Sequence, residues 1–441
     1  MLSGLRTLAL AFLLGGWGAV AAGAEPAPSL ASSHSDLARL TLRQAEVFFV
    51  ARNRELQIGQ RLVEGAEADR ITAAQRPNPN LSFNASPLNP HSGIGSGDLR
   101  DKQLGSSVAL QQLFERGNKR ELRMAAADQN IRASRGEFAD IRRQQKVALY
   151  SAYYDLVAAQ EKQRIATETA GLFQKTIDAV ELRLKAGDIA RSEVARIRVD
   201  ALRAQNDARS AQADRQKAQS ALAYMMGAER DAAAINAVDG WPEIGAVPGL
   251  QDKDIDQALA GRADVQAAQA RVEAADKNRE LARASRTRDI TGSAQFQHFP
   301  GDYSNNTFGV GVSIPLFTNY YFEGEIRRAE VELQSARDNL ERVRALAQGE
   351  FAKSRADLDA ALERVQRFRD TLLQEAQRAA EGAEFAYSKG AIGVLDLLDA
   401  RRQLYATRLE ASNTLADYAK SLAAWQAAIA AAEIDPKTAE K

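Results

Sequence analysis

From Phe308 to Leu316 large apolar residues alternate with small or polar ones. Phe308, Val310, Val312, Ile314 and Leu316 fall on one side, and Gly309, Gly311, Ser313 and Pro315 on the other. A period of two is that of a β-strand whose faces meet different surroundings. Ile290, Ala294 and Phe296 alternate in the same way with Thr291, Ser293, Gln295 and Gln297, and Leu81 and Phe83 with Ser82 and Asn84. Elsewhere the period is helical. Phe351, Leu358, Val365 and Leu372 recur every seventh residue with Leu362 and Phe368 between them, the seam of a coiled coil, and Leu149, Tyr153 and Leu156 form a similar stripe. The pattern predicts helices over 36–75, 118–185, 255–284 and 322–388. The second and fourth would each reach about 100 Å at 1.5 Å per residue. Each of these two ends at a glycine, Gly187 or Gly390, and a further apolar-periodic helix follows, so the chain turns back as a hairpin.

The two halves of the chain match at an offset of about 200 residues. Asn53-Arg54-Glu55-Leu56 parallels Arg262-Ala263-Asp264-Val265, Leu113-Phe114 parallels Leu316-Phe317, and Gly187-Asp188-Ile189 parallels Gly390-Ala391-Ile392. Glu193 and Arg198 fall over Asp396 and Arg401. The expected organisation is a first repeat over 25–227, with a strand pair at 80–113 and a hairpin tip near 187. A linker over 228–261, expected to wrap the helices as an irregular belt, leads to a second repeat over 262–432, with a strand pair at 289–317 and a tip near 390, and a tail over 433–441. Residues 87–102 and 300–306, rich in Gly, Pro, Asn and Asp, read as exposed loops between strands.

Composition supports a rod of long helices: aromatics make up 6% of the 441 residues, and Ala, Leu, Glu, Gln, Arg and Lys dominate long stretches. Basic and acidic residues balance at 58 each, so no field favours nucleic acid. Arg6, an uncharged apolar run to Ala22 and then Ala22-Gly23-Ala24 match a secretory signal peptide over 1–24. Its removal would leave a net charge of −1, since Arg6 is the only charge it carries (0 minus 1). There is no cysteine, so neither a disulfide nor a lipid-bearing cysteine is expected. No later run reaches the roughly 18 apolar residues of a spanning helix, which leaves strands as the means of crossing a bilayer. Four strands of about ten residues are long enough when tilted, with Phe308, Val310, Val312 and Ile314 facing lipid. Four strands cannot close alone, whereas three copies supply twelve.

The chemistry-bearing residues are few. His34, His91 and His298 are not spaced as metal ligands, and no nucleophile–base arrangement, phosphate-binding glycine loop or carboxylate pair in a pocket-like context points to an enzyme or a cofactor. Asp396 and Asp399 are three apart and would share a helix face, so threefold symmetry would stack them as two carboxylate rings. Tyr387 could donate to Glu193 on a neighbouring hairpin. A periplasmic adaptor would show one hairpin beside a β-rich domain, and a coiled-coil scaffold would lack the alternating strands.

Several segments resemble the TolC-type outer-membrane efflux family over nearly the whole chain. They are Arg76-Pro77-Asn78-Pro79 entering the first strand, Leu113-Phe114-Glu115-Arg116-Gly117-Asn118-Lys119-Arg120 leaving the second, Pro315-Leu316-Phe317, and Tyr387-Ser388-Lys389-Gly390 followed by Asp396-Leu397-Leu398-Asp399-Ala400. The resemblance implies a homotrimer with a twelve-stranded barrel in outer-membrane lipid and a helical tunnel through the periplasm. It also implies a periplasmic adaptor docked at the tips around Gly187 and Gly390, and an inner-membrane pump of the resistance-nodulation-division type. Asp396, Asp399, Glu193 and Tyr387 would then line the periplasmic mouth. Ile392 stands where multidrug members can carry a gating arginine. The strand entry and exit segments are most similar to the cobalt-zinc-cadmium branch, with multidrug export or type I secretion as the alternative.

Overall fold

A computed structural model of the chain describes residues 37–85, 105–245, 252–299 and 305–429. The expected signal peptide, the loop over 87–102, most of the loop over 300–306, His34, His91 and the tail over 433–441 lie outside the described residues. The elements run α1 (Leu42–Arg52), α2 (Arg54–Ala73), β1 (Asn80–Ala85), β2 (Ser106–Phe114), α3 (Lys119–Ala186), α4 (Arg191–Met226), α5 (Asp252–Ala260), α6 (Ala263–Ala284), β3 (Ile290–Phe299), β4 (Asn305–Ser313), α7 (Glu323–Arg367), α8 (Leu373–Ser388) and α9 (Val394–Ile429). A short 3₁₀ turn over Glu229–Ala234 follows α4, and a π-turn over Phe368–Leu372 joins α7 to α8. None of the described helices is long and apolar enough to cross a membrane.

The helix expected over 36–75 is two helices. Thr41 and Gln44 form a reciprocal capping box that starts α1. At Asn53 the backbone turns extended (ψ 127°), and the side chain then caps α2 by accepting from Leu56 N at 3.1 Å. Its amide donates to Met225 O at 2.9 Å, so the buried side chain is satisfied and ties the break to the end of α4. The helix expected over 255–284 is likewise divided, by Gly261 and Arg262, into α5 and α6. Arg262 is fully buried and holds Asp264 at 2.8 Å and Glu350 at 2.7 Å, while Nη1 reaches Ala428 O at 3.5 Å. Burial pushes both carboxyls up, but the arginines prevail and hold both below their usual range: Arg262 at Asp264, Arg143 and Arg262 at Glu350. Asn53 and Arg262, paralleled in the sequence, thus both occupy the N-cap position of the helix that precedes a strand pair.

α3 has 68 residues and so spans about 100 Å. It packs along α4, α2, α6 and α9. Gly187 (φ 83°) and Gly390 (φ 73°) take the left-handed conformation that ends a helix and lets the next one double back. The middle of the rod is held by Leu149, Tyr153 and Leu156 of α3, packed with Leu37, Leu40, Phe49, Leu222, Met226 and Ile235. There residues 236–238 lie beside Leu40 in a short parallel bridge, Tyr153 donates to Leu40 O at 3.0 Å, and Trp241 stacks on Tyr154. Leu358, Ala361 and Val365 of α7 meet Tyr418 and Trp425 of α9 in a second core.

The heptad seam does not continue through Leu372, which is 45% exposed. The π-turn inserts one residue, and beyond it Leu373, Ala380 and Tyr387 occupy the inward positions. The spacing of seven resumes one residue late, which carries Tyr387 into the core at the tips.

Candidate functional site

The four strands form one antiparallel sheet in the order β1-β2-β3-β4, so β1 and β4 are open edges. The register aligns Leu81, Leu110, Ala294 and Val310 in one row and Phe83, Val108, Phe296 and Phe308 in the next. Residues opposite one another across a ladder share a face. These rows, with Phe114, Ile290 and Val312, therefore make one apolar surface four strands wide. It lies open: Phe308, Val310 and Val312 are 74%, 79% and 72% exposed. The other face carries Asn80, Ser82, Asn84, Ser107, Gln111, Thr291, Ser293, Gln295, Gln297 and Thr307, with Ala109, Leu113 and two glycines among them. Ile314 and Leu316 are exposed but lie past the end of β4, because Pro315 has no N–H to continue the ladder. The expected second pair at 289–317 therefore stops at Ser313. Val108, Leu110 and Phe114 were not legible as part of this face, since Gln112 interrupts their stripe. His298, at the far end of β3, shares a hydrogen bond with Asn306 at 2.8 Å.

Where β2 gives way to α3, Gly117 (φ 75°) and Asn118 (φ 56°) turn the chain sharply. A Cβ on Gly117 would lie 2.8 Å from the Thr287 side chain. Glu115 holds Arg123 through both oxygens (2.6 and 2.8 Å), and this hydrogen-bonded pair keeps the Glu115 carboxyl below its usual range against the cost of burial. Asp289 accepts from Lys119 Nζ at 2.8 Å and from Arg116 N at 2.9 Å, and Arg120 donates to Ala74 O at 2.7 Å. Strand pair and rod are thus joined rigidly.

At the opposite end the two hairpins pack on one another. Phe173, Ile177 and Val180 of α3 and Val194, Ile197 and Ala201 of α4 enclose Val394 and Leu398 of α9, with Tyr387 alongside. Each hairpin is also stapled by an arginine to a glutamate seventeen residues earlier, Arg198 to Glu181 at 2.6 Å and Arg401 to Glu384 at 3.1 Å. Within the single chain the Tyr387 hydroxyl is not bonded to Glu193, the partner expected for it on a neighbouring hairpin. That hydroxyl accepts from Arg183 Nη1 at 3.3 Å, because Arg183 lies one turn from the end of α3 and faces α8. Asp396 is turned back on its own helix, accepting from Gly393 N at 3.2 Å. Asp399 pairs with Arg402 at 2.7 Å, and Arg402 also holds Asp200 of α4 at 2.7 Å. Asp396 and Asp399 are both exposed, Glu193 is half-buried, and Gly187 and Gly390 sit at the open ends of the hairpins. The sequence reading missed Arg183, Asp200 and Arg402, whose partners lie roughly 200 residues away. Among the described residues no group of three His, Asp or Glu side chains could hold a metal ion.

Residues 255–431 match the family described as outer membrane efflux protein. Over 385 residues the chain is 24% identical to the cobalt-zinc-cadmium resistance protein CzcC of Cupriavidus metallidurans, covering 84% of this chain and 85% of that one. It is 28% identical to the probable outer membrane lipoprotein SilC of Salmonella typhimurium, covering 81% of this chain and 78% of the relative. The fold is similar to that of the outer membrane protein VceC of Vibrio cholerae, with a TM-score of 0.71 at 22% identity over 88% of this chain and 96% of that one. With residues 255–431 matching that family, relatives aligned along most of the chain and a shared fold of long hairpins beside a four-stranded sheet, the chain is similar to outer membrane efflux proteins in the sequence of its second half and in its fold.

Proposed function

We propose that the chain is the outer-membrane conduit of a tripartite efflux system, working as a homotrimer and passing heavy-metal cations outward without catalysing a reaction. The observation that carries this reading is the sheet: an exposed apolar face four strands wide, a polar opposite face and two unpaired edges. An open edge is not tolerated in lipid. Joining β4 of one copy to β1 of the next three times over closes twelve strands, with the apolar face outward in lipid and the polar face lining water. The helices then project into the periplasm, and the tips around Gly187 and Gly390 meet a periplasmic adaptor that links them to an inner-membrane pump of the resistance-nodulation-division type. Asp396, Asp399, Glu193 and Tyr387 border the mouth. The name of the relative CzcC, a cobalt-zinc-cadmium resistance protein, supports metal as cargo.

The test has two parts. Native mass spectrometry of detergent-extracted protein should give a trimer, and a water-soluble monomer with full helicity would overturn the conduit. Deleting the gene should sensitise cells to zinc, cobalt or cadmium salts. Sensitivity confined to organic compounds would overturn the metal assignment and leave the conduit standing.

A further inference from the structure

We infer that the junction between the sheet and the rod carries a binding site for the phosphate headgroup of an anionic phospholipid in the inner leaflet of the outer membrane. This inference rests on the outer-membrane reading above. Three exposed arginines mark the place. Arg116 follows Phe114 by two residues at the end of β2, and Arg288 precedes Ile290 by two at the start of β3. Phe114 and Ile290 are register partners at the edge of the apolar face. Both residues therefore stand at the end of that face.

Arg286 joins them, its Nε donating to Tyr321 O at 3.1 Å, which leaves two terminal amino groups unspent. Arg288 lies over the Phe317 ring at 5.5 Å, an arrangement that keeps its N–H edge available. None of the three has a carboxylate partner among the described residues. The two acids of the strand ends are taken up on the inner side, Glu115 by Arg123 and Asp289 by Lys119. On the β2–β3 side the junction thus separates its charges, with paired acids inside and guanidinium groups outside, while on the α7 side the exposed Glu323 and Glu325 accept from Tyr321 N and the Tyr320 hydroxyl. Around them Phe114, Tyr320 and Tyr321 are exposed. Aromatic rings of this kind favour the depth of lipid headgroups. A planar fork of N–H donors beside an apolar wall fits a phosphodiester whose acyl chains lie along Phe114 and Ile290. It fits a zwitterionic headgroup less well, because that lipid brings its own cation.

The experiment places the intact protein in bilayers of phosphatidylethanolamine with a minor fraction of phosphatidylglycerol, extracts it in mild detergent and counts the lipids retained. Each arginine at a membrane surface contributes enough that the native protein should enrich phosphatidylglycerol by about tenfold at low salt. Arg116→Gln with Arg288→Gln should bring retention close to the bulk ratio, and adding Arg286→Gln should complete the loss. Arg327→Gln with Arg328→Gln, whose partners are Glu330 and Glu332 on α7, should change nothing. Millimolar inorganic phosphate should not compete. Undiminished enrichment in the triple variant, equal loss in the α7 control or displacement by free phosphate would each overturn the inference. Trimers that insert but show no preference for phosphatidylglycerol would overturn it alone, whereas protein that never enters a membrane would overturn the channel reading as well.

Discussion

Gly117 and Gly187 both have a positive φ, yet they should respond differently to the same change. Gly117 sits against Thr287, whereas nothing lies within reach of a Cβ at Gly187. Gly187→Ala should cost about 1 kcal/mol, the strain of alanine in the left-handed region. Gly117→Ala adds a steric clash and should cost about 2 to 4 kcal/mol, read as a larger fall in the unfolding temperature of the assembled protein. Glu115 makes a second residue-scale case. Arg123 depresses its folded-state pKa, so the pair's contribution is complete above the unfolded value and is lost as pH falls through the folded one. Glu115→Gln should therefore weaken the protein more at pH 7 than at pH 3, because lowering the pH draws the native carboxylate toward its neutral form. An equal effect at both pH values would show that packing, rather than charge, holds the junction.

At the scale of elements, much of the architecture is legible in the sequence because strands and helices differ in period. The alternation at Phe308, Val310 and Val312 locates β4, and the end of α3 falls at Gly187 as the hairpin requires. Three features are not legible, each for a physical reason. Helical periodicity passes through Asn53 and Arg262 undisturbed, and only their partners Met225 and Glu350, far along the chain, make them breaks. The stripe of β2 is masked by Gln112, whose amide turns away to Pro77 O at 2.8 Å. The network at the tips depends on which helices become neighbours, which no local pattern encodes. The sheet yields a prediction of its own: Val310→Arg should cost about 2–4 kcal/mol of insertion energy near the bilayer midplane. Thr307→Arg, on the polar face, should leave heat-resistant trimers in the outer-membrane fraction unchanged.

For the whole molecule, the two aspartates proposed to border the mouth are not equivalent. Arg402 already partners Asp399, whereas Asp396 accepts only a backbone N–H. In planar bilayers Asp396→Asn should lower cation selectivity by more than Asp399→Asn does. Equal and negligible effects in intact trimers would mean that neither carboxylate faces the ion path. The π-turn has a consequence on the same scale. A single-residue deletion inside a coiled coil ordinarily turns everything downstream by about 100° and exposes its core. Here the chain already carries a surplus residue between Val365 and Leu373, so removing Asp370 would heal the frame and keep Leu373, Ala380 and Tyr387 pointing inward. The same deletion at Ala361 would not. Trimers lacking Asp370 should melt close to the native temperature with their tips drawn back by about one helical rise, 1.5 Å, which makes this the spot where the rod's length can be edited without scrambling its grammar.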